Sequence, residues 1–110
     1  MPVAYKVLGQ VATAATTDTT LYTVPSATQV VVSSVVVCNR GSASATYRIA
    51  LRPNGATLAN EHYIAFDVTV AANDSVPLTL GITCDASDVF TVRASTANLT
   101  FQIFGSEITS

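Results

Sequence analysis

Apolar and polar residues alternate along most of this chain with a period of two. Thr46 to Arg52 places Tyr47, Ile49 and Leu51 on one side and Thr46, Arg48, Ala50 and Arg52 on the other. That is the pattern of a strand with one buried face. Glu61 to Val70 repeats it, with His62, Ile64, Phe66, Val68 and Val70 set against Tyr63, Ala65, Asp67 and Thr69. Ser75 to Cys84 puts Val76, Leu78, Leu80, Ile82 and Cys84 on one face, with Pro77 on the other, a position that fits an edge strand or a strand start. Val89 to Ser95 predicts burial of Phe90, Val92 and Ala94. Leu99 to Ile108 predicts burial of Leu99, Phe101 and Ile103. Gln29 to Cys38 carries six valines and is apolar on both faces, as in a strand covered on both sides. Val3 to Leu8 and Thr19 to Val24 complete the set. Gly9 to Asp18, rich in Ala and Thr, predicts a flexible loop or arm.

Turn chemistry separates these runs. Pro25-Ser26, Asn39-Arg40-Gly41-Ser42, Pro53-Asn54-Gly55, Ala71 to Asp74, Asp85 to Asp88 and Thr96 to Asn98 all stand between them. No segment holds a 3.6-residue apolar period over three turns, and no linker or internal repeat divides the chain. Strands at intervals of about ten residues predict an all-β chain, an antiparallel two-sheet β-sandwich of jelly-roll or immunoglobulin-like type with about eight strands. The expected organisation is one sandwich domain over residues 1–110, with the arm at about 9–18.

Composition narrows the function classes. Ala, Thr, Val and Ser supply 57 of the 110 residues, and only 11% of the chain is charged. An average domain carries about 25%. Five Lys and Arg against seven Asp and Glu build no large basic footprint, so nucleic acid is not an expected partner. The longest apolar stretch, Val30 to Cys38, is far short of the ~20 residues of a spanning helix, so no membrane is expected either. The opening Met1 to Lys6 lacks a basic region followed by an apolar run. An apolar, weakly charged chain of this kind is expected to bury surface against other subunits.

Candidate chemistry is sparse. His62 is the only histidine, and Cys38 and Cys84 are expected as reduced thiols, a disulfide within or between chains being the alternative. Glu61, His62 and Asp67 make no metal site: neighbours on a strand diverge, and Asp67 lies about 20 Å along the strand from Glu61. Asp74, Asp85 and Asp88 flank turns and are expected to cap backbone there. No nucleophile elbow or phosphate loop occurs. The reading is therefore no enzyme, no cofactor and no metal. The interface candidates are Arg48 and Arg52, which share the outward face of one strand, and Tyr63 and Phe104, outward aromatics.

The cadence of the chain resembles a known group. It runs through Tyr5-Lys6-Val7-Leu8-Gly9-Gln10, Leu21-Tyr22-Thr23-Val24-Pro25, Val37-Cys38-Asn39-Arg40-Gly41, Ile49-Ala50-Leu51-Arg52-Pro53, Val76-Pro77-Leu78-Thr79-Leu80-Gly81-Ile82, Asp88 to Phe101 and Phe104-Gly105-Ser106-Glu107-Ile108. These strand-and-turn patterns resemble small β-sandwich structural proteins of tailed bacteriophages, cyanophages among them. The resemblance implies a multicopy virion protein without catalytic residues, made in the host bacterial cytoplasm. Its implied partners are capsid or tail subunits and further copies of itself, as a homo-oligomer for which a trimer is one form. A capsid decoration (cement) role is preferred. The alternatives are a tail, baseplate or fibre-adaptor component, or a module that binds host-surface carbohydrate.

Overall fold

A computed structural model describes residues 3–109, with Leu80 described in its backbone alone. Leu80, expected on the buried face of its strand, therefore lies outside the described side chains. Eight strands run in order: β1 (Val3–Ala12), β2 (Thr19–Thr23), β3 (Thr28–Asn39), β4 (Ala45–Arg52), β5 (Tyr63–Val70), β6 (Ser75–Cys84), β7 (Val89–Ala94) and β8 (Leu99–Thr109). Short 3-10 turns at Pro53–Gly55 and Asn60–His62 punctuate the β4–β5 connection.

The strands form two four-stranded antiparallel sheets, β1-β8-β3-β6 and β2-β7-β4-β5. The pairing decides between the two sandwich types. β1 pairs with β8, β2 with β7, β3 with β6 and β4 with β5. That is one long hairpin whose two arms are β1–β4 and β5–β8. Rolling it up brings β3 beside β8 and β4 beside β7. This winding is a jelly roll.

The inner faces make one apolar cluster. Tyr47, Phe90, Phe101, Ile49, Leu99 and Ile103 are its largest fully buried members, joined by valines from β3. Tyr47 and Phe101, from opposite sheets, meet edge to face with ring centroids 6.3 Å apart. Pro77 sits exposed on β6, the end strand of its sheet, where its missing N–H costs no ladder bond.

Three sequence expectations are corrected. First, the six valines of β3 do not mark a strand covered on both sides. The register shifts between Val32 and Ser34 against both neighbours. The inward set therefore changes parity, from Val30 and Val32 to Val35, Val37 and Asn39. Valines of both parities serve one core face, while Val31 stays exposed. Second, Gly9 to Ala12 is strand, not arm: β1 stays paired with β8 as far as Ala12–Thr100. The rest of that segment lies along its own chain, where Ala15 bridges Ala94 and the Thr16 N–H donates to the Ala94 carbonyl at 2.7 Å. Third, the apolar face expected over His62 to Val70 is broken by two register shifts in β5. Asp67 takes a positive φ of 54° there. Ala65 and Val70 turn inward, whereas Ile64, Phe66 and Val68 are left exposed.

Gly105 has a steric reason. A Cβ there would collide with the Val31 carbonyl oxygen, so β3 and β8 approach closely only because the position lacks a side chain.

Candidate functional site

The outer faces of the two sheets differ in what covers them. On the β2-β7-β4-β5 sheet the chain covers itself. Arg52 holds the β4–β5 connection down on it. Its Nε donates to the Ala56 carbonyl at 2.7 Å, one terminal nitrogen to the Gly55 carbonyl at 3.2 Å and the other to the Thr91 hydroxyl at 3.2 Å. Ala50 and Thr91, although on this outer face, are buried. His62 closes the end of the same connection, its Nδ1 accepting the Ala59 N–H at 3.0 Å. Asp88 accepts the N–H groups of Asn54 (2.8 Å) and Asp85 (2.9 Å), and Asp74 accepts that of Ser75 at 2.8 Å, so these carboxylates tie turns.

Beside that connection a small cluster stands free. Arg48 makes a two-point pair with Asp67, Nε to Oδ1 at 2.7 Å and a terminal nitrogen to Oδ2 at 3.2 Å. Its guanidinium lies 4.1 Å from the Phe66 ring centroid. Phe66, 54% exposed, meets Tyr63 edge to face at 4.9 Å. The Arg48 hydrogen bonds hold the Asp67 carboxyl below its ordinary value, and the same pair raises Arg48. Arg93 lies across from Arg48 on β7 and is 3.6 Å from Asp18. Both arginines thus have carboxylate neighbours, and this face offers no unneutralised cation pair.

The outer face of the β1-β8-β3-β6 sheet is bare. Tyr5, 86% exposed, shares it with Val3, Val7 and Val31. In register, Val7 lies opposite Phe104, and Tyr5 opposite Ser106 and then Val31. Tyr5, Lys6, Val7, Val31 and Phe104 line a groove of about 560 Å³ together with Ser33, Gly105 and Ser106. Phe104 is half-buried in it. On the inward side of the same β1 stretch, Lys6 is ion-paired to Glu107 at 2.8 Å, and the Tyr22 hydroxyl donates to the other Glu107 oxygen. Lys6 and Tyr22 hold the Glu107 carboxyl below its ordinary value. Burial, reinforced by Glu107, pushes the Tyr22 hydroxyl up.

Of the four interface candidates, the fold brings Arg48 and Tyr63 together with Phe66, puts Phe104 on the opposite sheet, and gives Arg52 an internal task. Tyr5 and Phe66 were not among them. Tyr5 could have been found from Val3, Tyr5 and Val7, which share one parity of β1. Phe66 could not, because the β5 irregularities invert its face.

Cys38 is half-buried and Cys84 buried, both free, at opposite ends of β3 and of its partner β6. Burial pushes the Cys84 thiol up to about 11, with Asp88 adding to the shift, so it stays protonated at neutral pH. Among the described residues no group of three or more His, Cys, Asp or Glu is placed to hold a metal ion. No described helix is long and apolar enough to cross a membrane.

No protein-family model matches the chain, and no curated protein matches its sequence.

Proposed function

We propose that this chain is a structural protein of a tailed-bacteriophage virion, present in many copies and acting through subunit contacts. The observation that carries the reading is the bare outer face of the β1-β8-β3-β6 sheet, where Tyr5, Val7 and Val31 stand exposed around a groove and Val3 is exposed on the same strand as Tyr5. Such a patch costs solubility in a solitary domain and is stabilising when covered. Low charge fits the same life, because charged residues are depleted at interface cores. The strand-and-turn resemblance to small phage structural proteins supplies the setting. Repetition on a symmetric particle multiplies modest contacts through avidity. Among virion roles, capsid decoration is preferred over a tail, baseplate or fibre-adaptor role, since a sandwich with a bare sheet face suits a surface-bound clasp.

Co-sedimentation tests it. The purified protein should pellet with purified phage particles and show a concentration-dependent mass by light scattering. A strict monomer that stays in the supernatant overturns the reading.

The exposed Tyr63 and Phe66 rings beside Arg48 and Asp67 favour a second reading, a host-surface carbohydrate module. The guanidinium already over Phe66 occupies the stacking face a sugar needs, which ranks this reading lower. Binding to a glycan array with loss in Phe66→Ala would promote it; uniform silence removes it.

A further inference from the structure

We propose that the free edge of β1 pairs with the same edge of a second copy, antiparallel and centred on Tyr5. β1 is the end strand of its sheet, and Val3 to Val7 are exposed on both faces. An end strand presents a row of unpaired N–H and C=O groups, a template for another strand. Edges of this kind are normally guarded by a charge, a proline or a bulge in the exposed stretch. Here the bulge falls after Val7, the only proline nearby, Pro2, precedes the stretch in sequence, and its one charge, the half-exposed Lys6, is neutralised by Glu107 at 2.8 Å.

The segment itself selects a second copy as the occupant. The outward residues of this segment are symmetric about Tyr5, with Val3 two places before it and Val7 two places after, while Ala4 and Lys6 of the inner parity differ. Two-fold antiparallel pairing sets Val3 against Val7, Ala4 against Lys6, and Tyr5 against its own mate. Every outward residue of the ladder is then apolar, on the face that carries Phe104 and Val31. No like charges face each other, because Lys6 of one copy stands opposite Ala4 of the other. Ala4 is in register with Glu107 on β8. The second copy's Lys6 therefore lies two strands, about 10 Å, from a carboxylate across an alanine methyl. Two Lys6 and two Glu107 make a four-charge cluster of alternating sign around the axis. The result is an isologous contact that continues the sheet through eight strands and joins two grooves into one apolar band. It is small beside the roughly 1,600 Å² of a standard interface, so the pair dissociates on dilution and persists where a particle concentrates copies.

This inference names a contact for the multicopy reading above and rests on it only for its setting. Sedimentation velocity over a wide concentration range tests it, with exchange of the Val3 to Val7 amides read in parallel. The wild-type chain should form a reversible dimer in which those amides become protected as concentration rises. Tyr5→Lys sets two like charges against each other at the axis and should weaken dimerisation about tenfold or more. Phe66→Lys, on the opposite sheet, should leave it unchanged. Tyr5 is so exposed that the variant keeps the wild-type circular dichroism. A dimer that survives Tyr5→Lys, or one abolished by Phe66→Lys, overturns the pairing. So does a wild-type chain that stays monomeric at millimolar concentration with the edge-facing β1 amides, those not bonded to β8, still exchanging freely. If that monomer still pellets with particles, the virion reading stands and the β1 edge belongs to a shell subunit; if it does not, both fail.

Discussion

The two sheets share one core and treat water differently. The β2-β7-β4-β5 sheet spends its own β4–β5 connection on its outer face, clamped by Arg52, and places Arg48, Asp67, Arg93 and Asp18 around what remains. Among the described residues, the β1-β8-β3-β6 sheet has neither a covering connection nor an outward charge pair, and it exposes Val3, Tyr5, Val7 and Val31. Where charge is used there, as Lys6–Glu107, it is turned inward beside Tyr22. A chain poor in charge has therefore placed its ionic groups on one sheet face, in the turns and in the Lys6–Glu107 pair at the β1 edge. The other face exposes Tyr5 with Val3, Val7 and Val31 and has apolar surface to bury against a partner, as has the β5 stretch with Ile64, Phe66 and Val68.

The difference can be broken at several levels. The largest effect is expected in the shared core, where Phe101→Ala should cost about 3–5 kcal/mol in denaturant unfolding and destabilise both sheets together. Gly105→Ala drives a methyl group into the Val31 carbonyl and should cost about 1–3 kcal/mol. Amide exchange should speed up in β3 and β8 before it does in β4 and β7. Arg52→Ala removes three hydrogen bonds from the covering connection and should cost about 1–2 kcal/mol. The amides of Ala50 and Thr91 should exchange faster, making the covered face resemble the bare one. The smallest effect on stability is expected from Tyr5→Ser, within about 0.5 kcal/mol, while binding of a hydrophobic dye falls.

pH separates the interior from the faces. Glu107 and Asp67 are held below their ordinary values in the fold. The unfolded chain thus binds protons more readily, and this share of stability is full above the ordinary carboxylate range and fades as pH falls through it. Glu107→Gln should flatten the acid limb of a stability–pH curve. At the other end, Cys84, Tyr22 and Tyr47 are all raised. Their contribution is complete below pH about 9 and is lost as the unfolded thiol and phenols ionise. Cys84→Ala should flatten the first part of that alkaline limb, between about 9 and 11.

Most of the fold was legible because a half-buried strand writes itself as alternation, and alternation survives wherever pairing is regular. β4, β7 and the first half of β8 bury the residues their pattern predicts. What was not legible lies at irregularities. One unpaired residue at Ser33 makes a single-faced strand read as double-faced. The extra residues around Phe66 and Asp67 invert a face that sequence periodicity assigns to the core. Gly9 to Ala12 reads as an arm because glycine and small residues mark loops, whereas Gly9 is needed in a strand: a Cβ there would strike the Leu21 carbonyl. The candidate surface was half legible. Phe104 and Tyr63 stand out as outward aromatics. Tyr5 is legible only through the parity it shares with Val3 and Val7, because both parities of β1 are exposed and neighbouring Lys6 also reads as solvent-facing.

The bare sheet face is the one expected to become covered. Hydrogen exchange measured on the free monomer and on particle-bound protein tests it most directly. New protection is expected over Val3 to Val7 and Val31 to Ser34 on the particle, with the covered β4–β5 connection unchanged. Equal exchange of the bare face in both states, or protection confined to the β4–β5 connection, would contradict it.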